Sequence, residues 1–180
     1  MLKEGGSVVR GNRDNVILIG MPGAGKSTVG VVLAKRLGFD FIDTDLLIQR
    51  GSAKHLQEII ADEGLESFKK QEEQVLLSLC AHESVISTGG SAVYSEKGMA
   101  TLKNLGVIVF LDVPLADLQQ RIHDMDSRGL VIDPGETLAD LYGQRRPLYR
   151  QYADLHIDTE GLNVEETAAR IAEHWTAFQA

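Results

Sequence analysis

The chain has 180 residues, enough for one domain with a substantial core, and its 43% hydrophobic and 24% charged content is ordinary for a globular protein. A net charge of −8 argues against a general nucleic-acid binder, and no apolar run approaches the ~18 residues of a membrane span. The single cysteine, Cys80, excludes an internal disulfide framework and suits a reducing cytoplasm.

Residues 1–15 are polar and lack the apolar core of a secretory signal, so a flexible leader is expected before a single domain over 16–180. The run Val16-Ile17-Leu18-Ile19 is β-branched and strand-like, which predicts a first strand over 16–20. Apolar residues at Val29, Val32, Leu33 and Leu37 share one face of a helix over 26–37, which Gly38 stops. A second strand is expected over 39–43. A charged helical region then spans 46–81, broken near Gly51-Ser52 and Glu63-Gly64. Cys80 falls in its apolar pattern with Val75, Leu76 and Leu79, so a buried inert thiol is expected. A third strand covers 84–87, and a short helix 95–104. The continuous apolar run at 107–112 reads as a strand buried on both faces, followed by a helix over 115–123. Residues 124–137 are polar and contain Gly129, Pro134 and Gly135; a connection of that length predicts a functional lid. A helix over 138–146 is expected to kink or restart at Pro147. A fifth strand at 155–158 and an amphipathic helix over 164–178 close the chain, with Val164, Ala168, Ile171, Trp175 and Phe178 on its apolar face.

Strands alternating with helices imply an α/β fold, a parallel sheet with helices on both faces, whose ligands bind beyond the C-terminal strand ends. Three of those ends carry polar or glycine-rich motifs. The first, Gly20-Met-Pro-Gly-Ala-Gly25-Lys26-Ser27, has P-loop spacing between a strand and a helix. Its glycines let Gly23, Ala24 and Gly25 aim backbone N–H groups at a phosphate chain, and the helix beginning at Lys26 adds its positive end. Lys26 is expected to reach the β- and γ-phosphates of a bound nucleotide and the Ser27 hydroxyl to ligate Mg²⁺, with Thr28 packed or contacting phosphate peripherally. At the second, Asp43 and Asp45 sit two residues apart, and an extended chain would point both carboxylates at that site. One is expected to hold Mg²⁺ and the other to take a hydroxyl proton. The third, Thr88-Gly89-Gly90, lets backbone approach a ligand closely. Arg145-Arg146 on a helix would by itself read as a solvated face, and the five histidines show no metal-ligand spacing.

Taken together, residues 20–28, Asp43-Thr44-Asp45, Thr88-Gly89-Gly90 and Arg145-x-Pro147-Leu148-Tyr149 resemble shikimate kinases, over about 16–159. The resemblance implies a three-layer, nucleoside-monophosphate-kinase-like fold with a five-stranded parallel sheet of order 2-3-1-4-5. It implies ATP as co-substrate, Mg²⁺ as cofactor and phosphorylation of a hydroxyl of shikimate in aromatic amino-acid biosynthesis. It assigns Asp43 to Mg²⁺, Asp45 to the acceptor hydroxyls and the role of base, and Gly89 and Gly90 to the acceptor site within a substrate-binding region that includes 46–81. Arg145 then pairs with the acceptor carboxylate, Arg128 closes from the lid onto the phosphates, and Arg121 lies against adenine. Lys69 stands where the family carries an arginine for that carboxylate, Ser91 where it carries a third glycine, and Gly129 where the lid carries a proline. These departures leave two acceptors open, shikimate or another small carboxylic acid or polyol such as gluconate. A nucleotide-switch module is the remaining alternative, although no Asn-Lys-x-Asp guanine signature occurs. The expected partners are ATP/ADP and one small anionic substrate, with no nucleic acid or membrane and a monomeric chain.

Overall fold

The computed structural model describes residues 13–123 and 135–179. Five parallel strands, β1 (Asn15–Ile19), β2 (Asp40–Asp43), β3 (Ser84–Ser87), β4 (Gly106–Asp112) and β5 (Leu155–Asp158), form one sheet in the order β2-β3-β1-β4-β5. The connections are α1 (Lys26–Leu37), three helices α2 (Thr44–Ser52), α3 (Leu56–Glu63) and α4 (Leu65–Ser78), then α5 (Glu96–Leu105), α6 (Leu115–His123), α7 (Leu138–Tyr152) and the terminal α8 (Val164–Gln179).

Alternation within the strands divides the core in two. Val16, Leu18, Val85, Val107, Val109 and Leu111 face α1 and α8, where Val29, Leu33, Ile171 and Trp175 meet them. Ile17, Ile19, Ile86, Ile108 and Phe110 face the other way, against Leu76, Met99, Leu118, Leu141 and Tyr149. Trp175 is buried as expected, edge-on to Phe39 at 6.0 Å. A third cluster, Ile48, Ile59 and Phe68, joins α2, α3 and α4 into a small lobe at the strand ends.

Several boundaries differ from the expectation for physical reasons. β1 begins at Asn15, which is fully buried. Its amide donates to the carbonyls of Ala81 (2.9 Å) and Leu105 (2.8 Å), and its oxygen accepts from Ser84 N–H (3.0 Å). Arg13 is tied to Asp154 and to the Gly106 carbonyl. Residues 1–12 lie outside the described part. α7 does not stop at Pro147; it continues to Tyr152. Leu141, Arg145 and Tyr149 are buried on both sides of the proline, so packing outweighs the one backbone bond that Pro147 removes. α4 ends at Ser78, which leaves Cys80 exposed instead of buried. Phe178 is 45% exposed, and Arg13 covers its ring at 5.6 Å. No helix among the described residues is long and apolar enough to cross a membrane.

Candidate active site

The loop between β1 and α1 is shaped by glycines at positive φ, Gly23 at 76° and Gly25 at 86°, values that L side chains rarely adopt. Gly25 caps α1 without a side chain, so the first-turn N–H groups face the cavity as anion donors. Lys26 is buried and folded along its own loop, its Nζ donating to the carbonyls of Gly20 and Met21, both at 2.9 Å. Burial pulls its ammonium down to about 8, against the carboxylates of Asp45 and Asp43, which hold it up.

Asp43 ends β2 and caps α2, its Oδ1 accepting from the N–H groups of Asp45 (3.0 Å) and Leu46 (3.4 Å). Its Oδ2 accepts from Ser27 Oγ at 2.7 Å, which brings the P-loop hydroxyl and a carboxylate together. These hard oxygens fit Mg²⁺, which takes few protein ligands and completes its shell with water and phosphate. Among the described residues no group of three or more His, Cys, Asp or Glu is placed to hold a metal ion by itself. The two aspartates reach the cavity differently from the expected extended pair. Asp43 comes from the strand, whereas Asp45 comes from the first turn of α2.

Lys26, Ser27, Asp43, Asp45, Gly89, Gly90 and Arg145 all line one cavity of about 540 Å³, with Leu46, Leu56 and Phe68 as its apolar wall. Gly23, Gly25 and Thr28 sit at the same cavity, and Ala24 is buried behind the loop. Thr44 anchors the floor, accepting from Gly89 N–H at 3.2 Å. Tyr149 Oη donates to the Gly90 carbonyl at 2.6 Å. Arg145 is buried, and its Nη1 lies 3.2 Å from where a Cβ on Gly90 would stand. Arg121, on α6, reaches the outer side of the P-loop, where Nη1 donates to the Ala24 carbonyl at 3.5 Å. Lys69 is placed elsewhere: it lines an adjoining recess of about 220 Å³, with Nζ 3.0 Å from Glu66 Oε1. Arg128, and the lid up to residue 134, lie outside the described residues; Thr137, at its end, caps α7 in a reciprocal box with Asp140.

Sequence reasoning missed Glu72. It is 2% exposed, on α4, with Oε2 accepting from Ser91 Oγ at 2.6 Å. Its Oε1 and the Oδ1 of Asp45 are buried without a hydrogen-bond partner among the described residues, and both point at Gly89. Burial pushes the Glu72 carboxyl up to about 7, with Asp45 adding to the rise and the Ser91 hydrogen bond opposing it. Burial also raises Asp45 to about 6, helped by Asp43 and opposed by Lys26. The signal available in the sequence was a glutamate three positions after Lys69, one turn along the same helix face. Arg146 was also misread as surface: with Arg150 and His156 it surrounds the buried Asp112 at the end of β4, at 2.7, 3.4 and 2.8 Å.

A parallel sheet of order 2-3-1-4-5 with a P-loop after β1, a Ser–Asp oxygen pair beside it and a buried carboxylate opposite an arginine defines a P-loop phosphotransferase with a small-molecule acceptor site. Residues 22–176 match the family model for shikimate kinase. The chain is 38% identical to a shikimate kinase of Thermodesulfovibrio yellowstonii over 89% of its own length and 94% of the relative's, and 42% identical to one of Nostoc sp. over 88% and 86%. It superimposes on the shikimate kinase from Acinetobacter baumannii in complex with shikimate with a TM-score of 0.81, at 33% identity, covering 93% of this chain and 95% of that one. The chain belongs to the shikimate kinase family. The nucleotide-switch alternative is thereby set aside.

Proposed function

We propose that this protein transfers the γ-phosphoryl group of ATP to a ring hydroxyl of shikimate. The observation that carries the reading is the convergence of phosphate donors, a buried carboxylate and a buried arginine on one cavity, in a chain whose solved relative binds shikimate. P-loop amides and Lys26 bind the phosphates, and Arg121 lies against the adenine. Arg145 meets the acceptor's carboxylate in a charge-assisted pair, with Lys69 nearby. Asp45 Oδ1, buried and without a donor among the described residues, accepts the hydrogen bond of the attacking hydroxyl. As that oxygen bonds to the γ-phosphorus and the bond to ADP breaks, the hydroxyl proton passes to Asp45, whose raised affinity for protons suits a base near neutrality. Lys26 and Arg128 offset charge on the transferred group. Ser27 and Asp43 would hold Mg²⁺, which would supply further neutralisation of the phosphate oxygens. Gly89 and Gly90 keep backbone close to the acceptor. An exposed thiol at Cys80 fits a reducing cytoplasm.

The test is a coupled ADP-release assay with Mg-ATP and shikimate, quinate, gluconate or no acceptor. Release stimulated by shikimate alone is expected. Stimulation only by another acid or polyol would overturn shikimate as the acceptor.

A further inference from the structure

Tyr94 is part of no core cluster: it ends the 3₁₀ turn Ala92–Tyr94 and is 40% exposed. Its ring nevertheless gathers two cations from two helices. The Arg145 guanidinium carbon lies 5.2 Å from the ring centroid, and Arg145 Nε donates to the Tyr94 hydroxyl at 3.3 Å. Lys69 Nζ lies 5.7 Å from the same centroid. Both separations are within cation–π range. Both cations already face carboxylates, Lys69 pairing with Glu66 at 3.0 Å and Arg145 acting on the buried Glu72, so an acceptor carboxylate competes with these groups and the ring helps to keep the two cations in place for it. Arg145 reaches the acceptor cavity, Lys69 and Tyr94 line the adjoining recess, and Ser91 borders both. An ammonium cannot fix its direction through paired N–H bonds, but a ring face can hold it.

We propose that Tyr94 is a positioning residue for the acceptor's carboxylate: its hydroxyl and ring aim Arg145, and its ring retains Lys69 at the rim, so that both cations act on one anionic group. This rests on the function proposed above. The ring acts through the two cations, so its contribution exists only when the acceptor is charged.

The experiment compares wild type, Tyr94→Phe and Tyr94→Leu with shikimate and with its uncharged methyl ester, by steady-state kinetics and by calorimetric binding. Tyr94→Leu is expected to raise KM and Kd for shikimate about tenfold and Tyr94→Phe about threefold, with KM for ATP unchanged. With the ester, all three proteins are expected to agree within about twofold. Equal losses on acid and ester, or no loss on the acid, would overturn the role of Tyr94. A wild type that binds shikimate without phosphorylating it defeats the proposed function, yet the acid–ester comparison of Kd still decides Tyr94. A wild type that does not bind shikimate overturns both.

Discussion

Gly89→Ala is the most demanding test of the acceptor site. The backbone of Gly89 is not left-handed, so the added methyl acts only through space. It would stand 2.2 Å from Glu72 Oε1 and 2.8 Å from Asp45 Oδ1, both closer than real contacts allow. A surface glutamate would swing aside at little cost, but Glu72 is 2% exposed and held by Ser91. Relief therefore means overpacking or breaking the Ser91 bond, which costs about 2–4 kcal/mol. For a chain of this size that lowers Tm by roughly 5–15 °C. A shift of Asp45 by a fraction of an ångström away from the hydroxyl also lowers kcat, by less than the about 10²-fold that a full ~1 Å displacement costs. Thermal denaturation followed by circular dichroism, together with the coupled assay, reads both effects. The decisive control is a cycle with Glu72→Ala, which removes the nearer obstacle. Gly89→Ala is expected to cost much less stability in that background. An equal cost in both backgrounds, or a single variant with wild-type Tm and kcat, would refute the packing argument.

Glu72 also makes stability depend on pH. Its folded carboxyl is raised from 4.5 to about 7, so between those values the folded chain holds the proton more tightly than the unfolded one. The resulting stabilisation, on the order of 3 kcal/mol, is complete below about pH 4.5 and is lost as pH rises through about 7. Glu72→Gln is expected to remove most of the slope between pH 6 and 8, leaving that of Asp45 below about 6, and to melt above the wild type at pH 8; matching slopes in denaturant titrations from pH 6 to 8 would assign the titration to another group. Lys26→Ala is expected to leave less than about 1% of kcat with the fold intact by circular dichroism, and retention of several per cent would place the phosphate contacts elsewhere. Asp45→Asn is expected to lower kcat by about 10²-fold or more; a raised acceptor KM at unchanged kcat would make Asp45 a binding residue instead of the base.

The alternation of strands and helices, the P-loop and the Asp-Thr-Asp segment were legible in the chain itself, because each depends on local periodicity or on residue types that only one backbone geometry suits. Val16–Ile19 reads as a buried strand whatever lies beside it, and Gly23 and Gly25 mark a turn that other residues resist. Matters decided by contact between distant segments were not legible. α7 passes through Pro147 because Leu141 and Tyr149 are buried on either side of it, a fact of the sheet beneath. Cys80 is exposed because α4 ends two residues before it. Asp112 is a hub only because β5 delivers His156 and α7 delivers Arg146 to the end of β4. The acceptor site shows the same division. The sequence by itself determined that a carboxylate follows β2 and a glycine pair follows β3. Tertiary structure alone placed Glu72 against Gly89, joined it to Ser91 and put Tyr94 between Lys69 and Arg145. Those groups come from α4, the 3₁₀ turn and α7, and their burial and charge exist only once these elements have packed on the sheet.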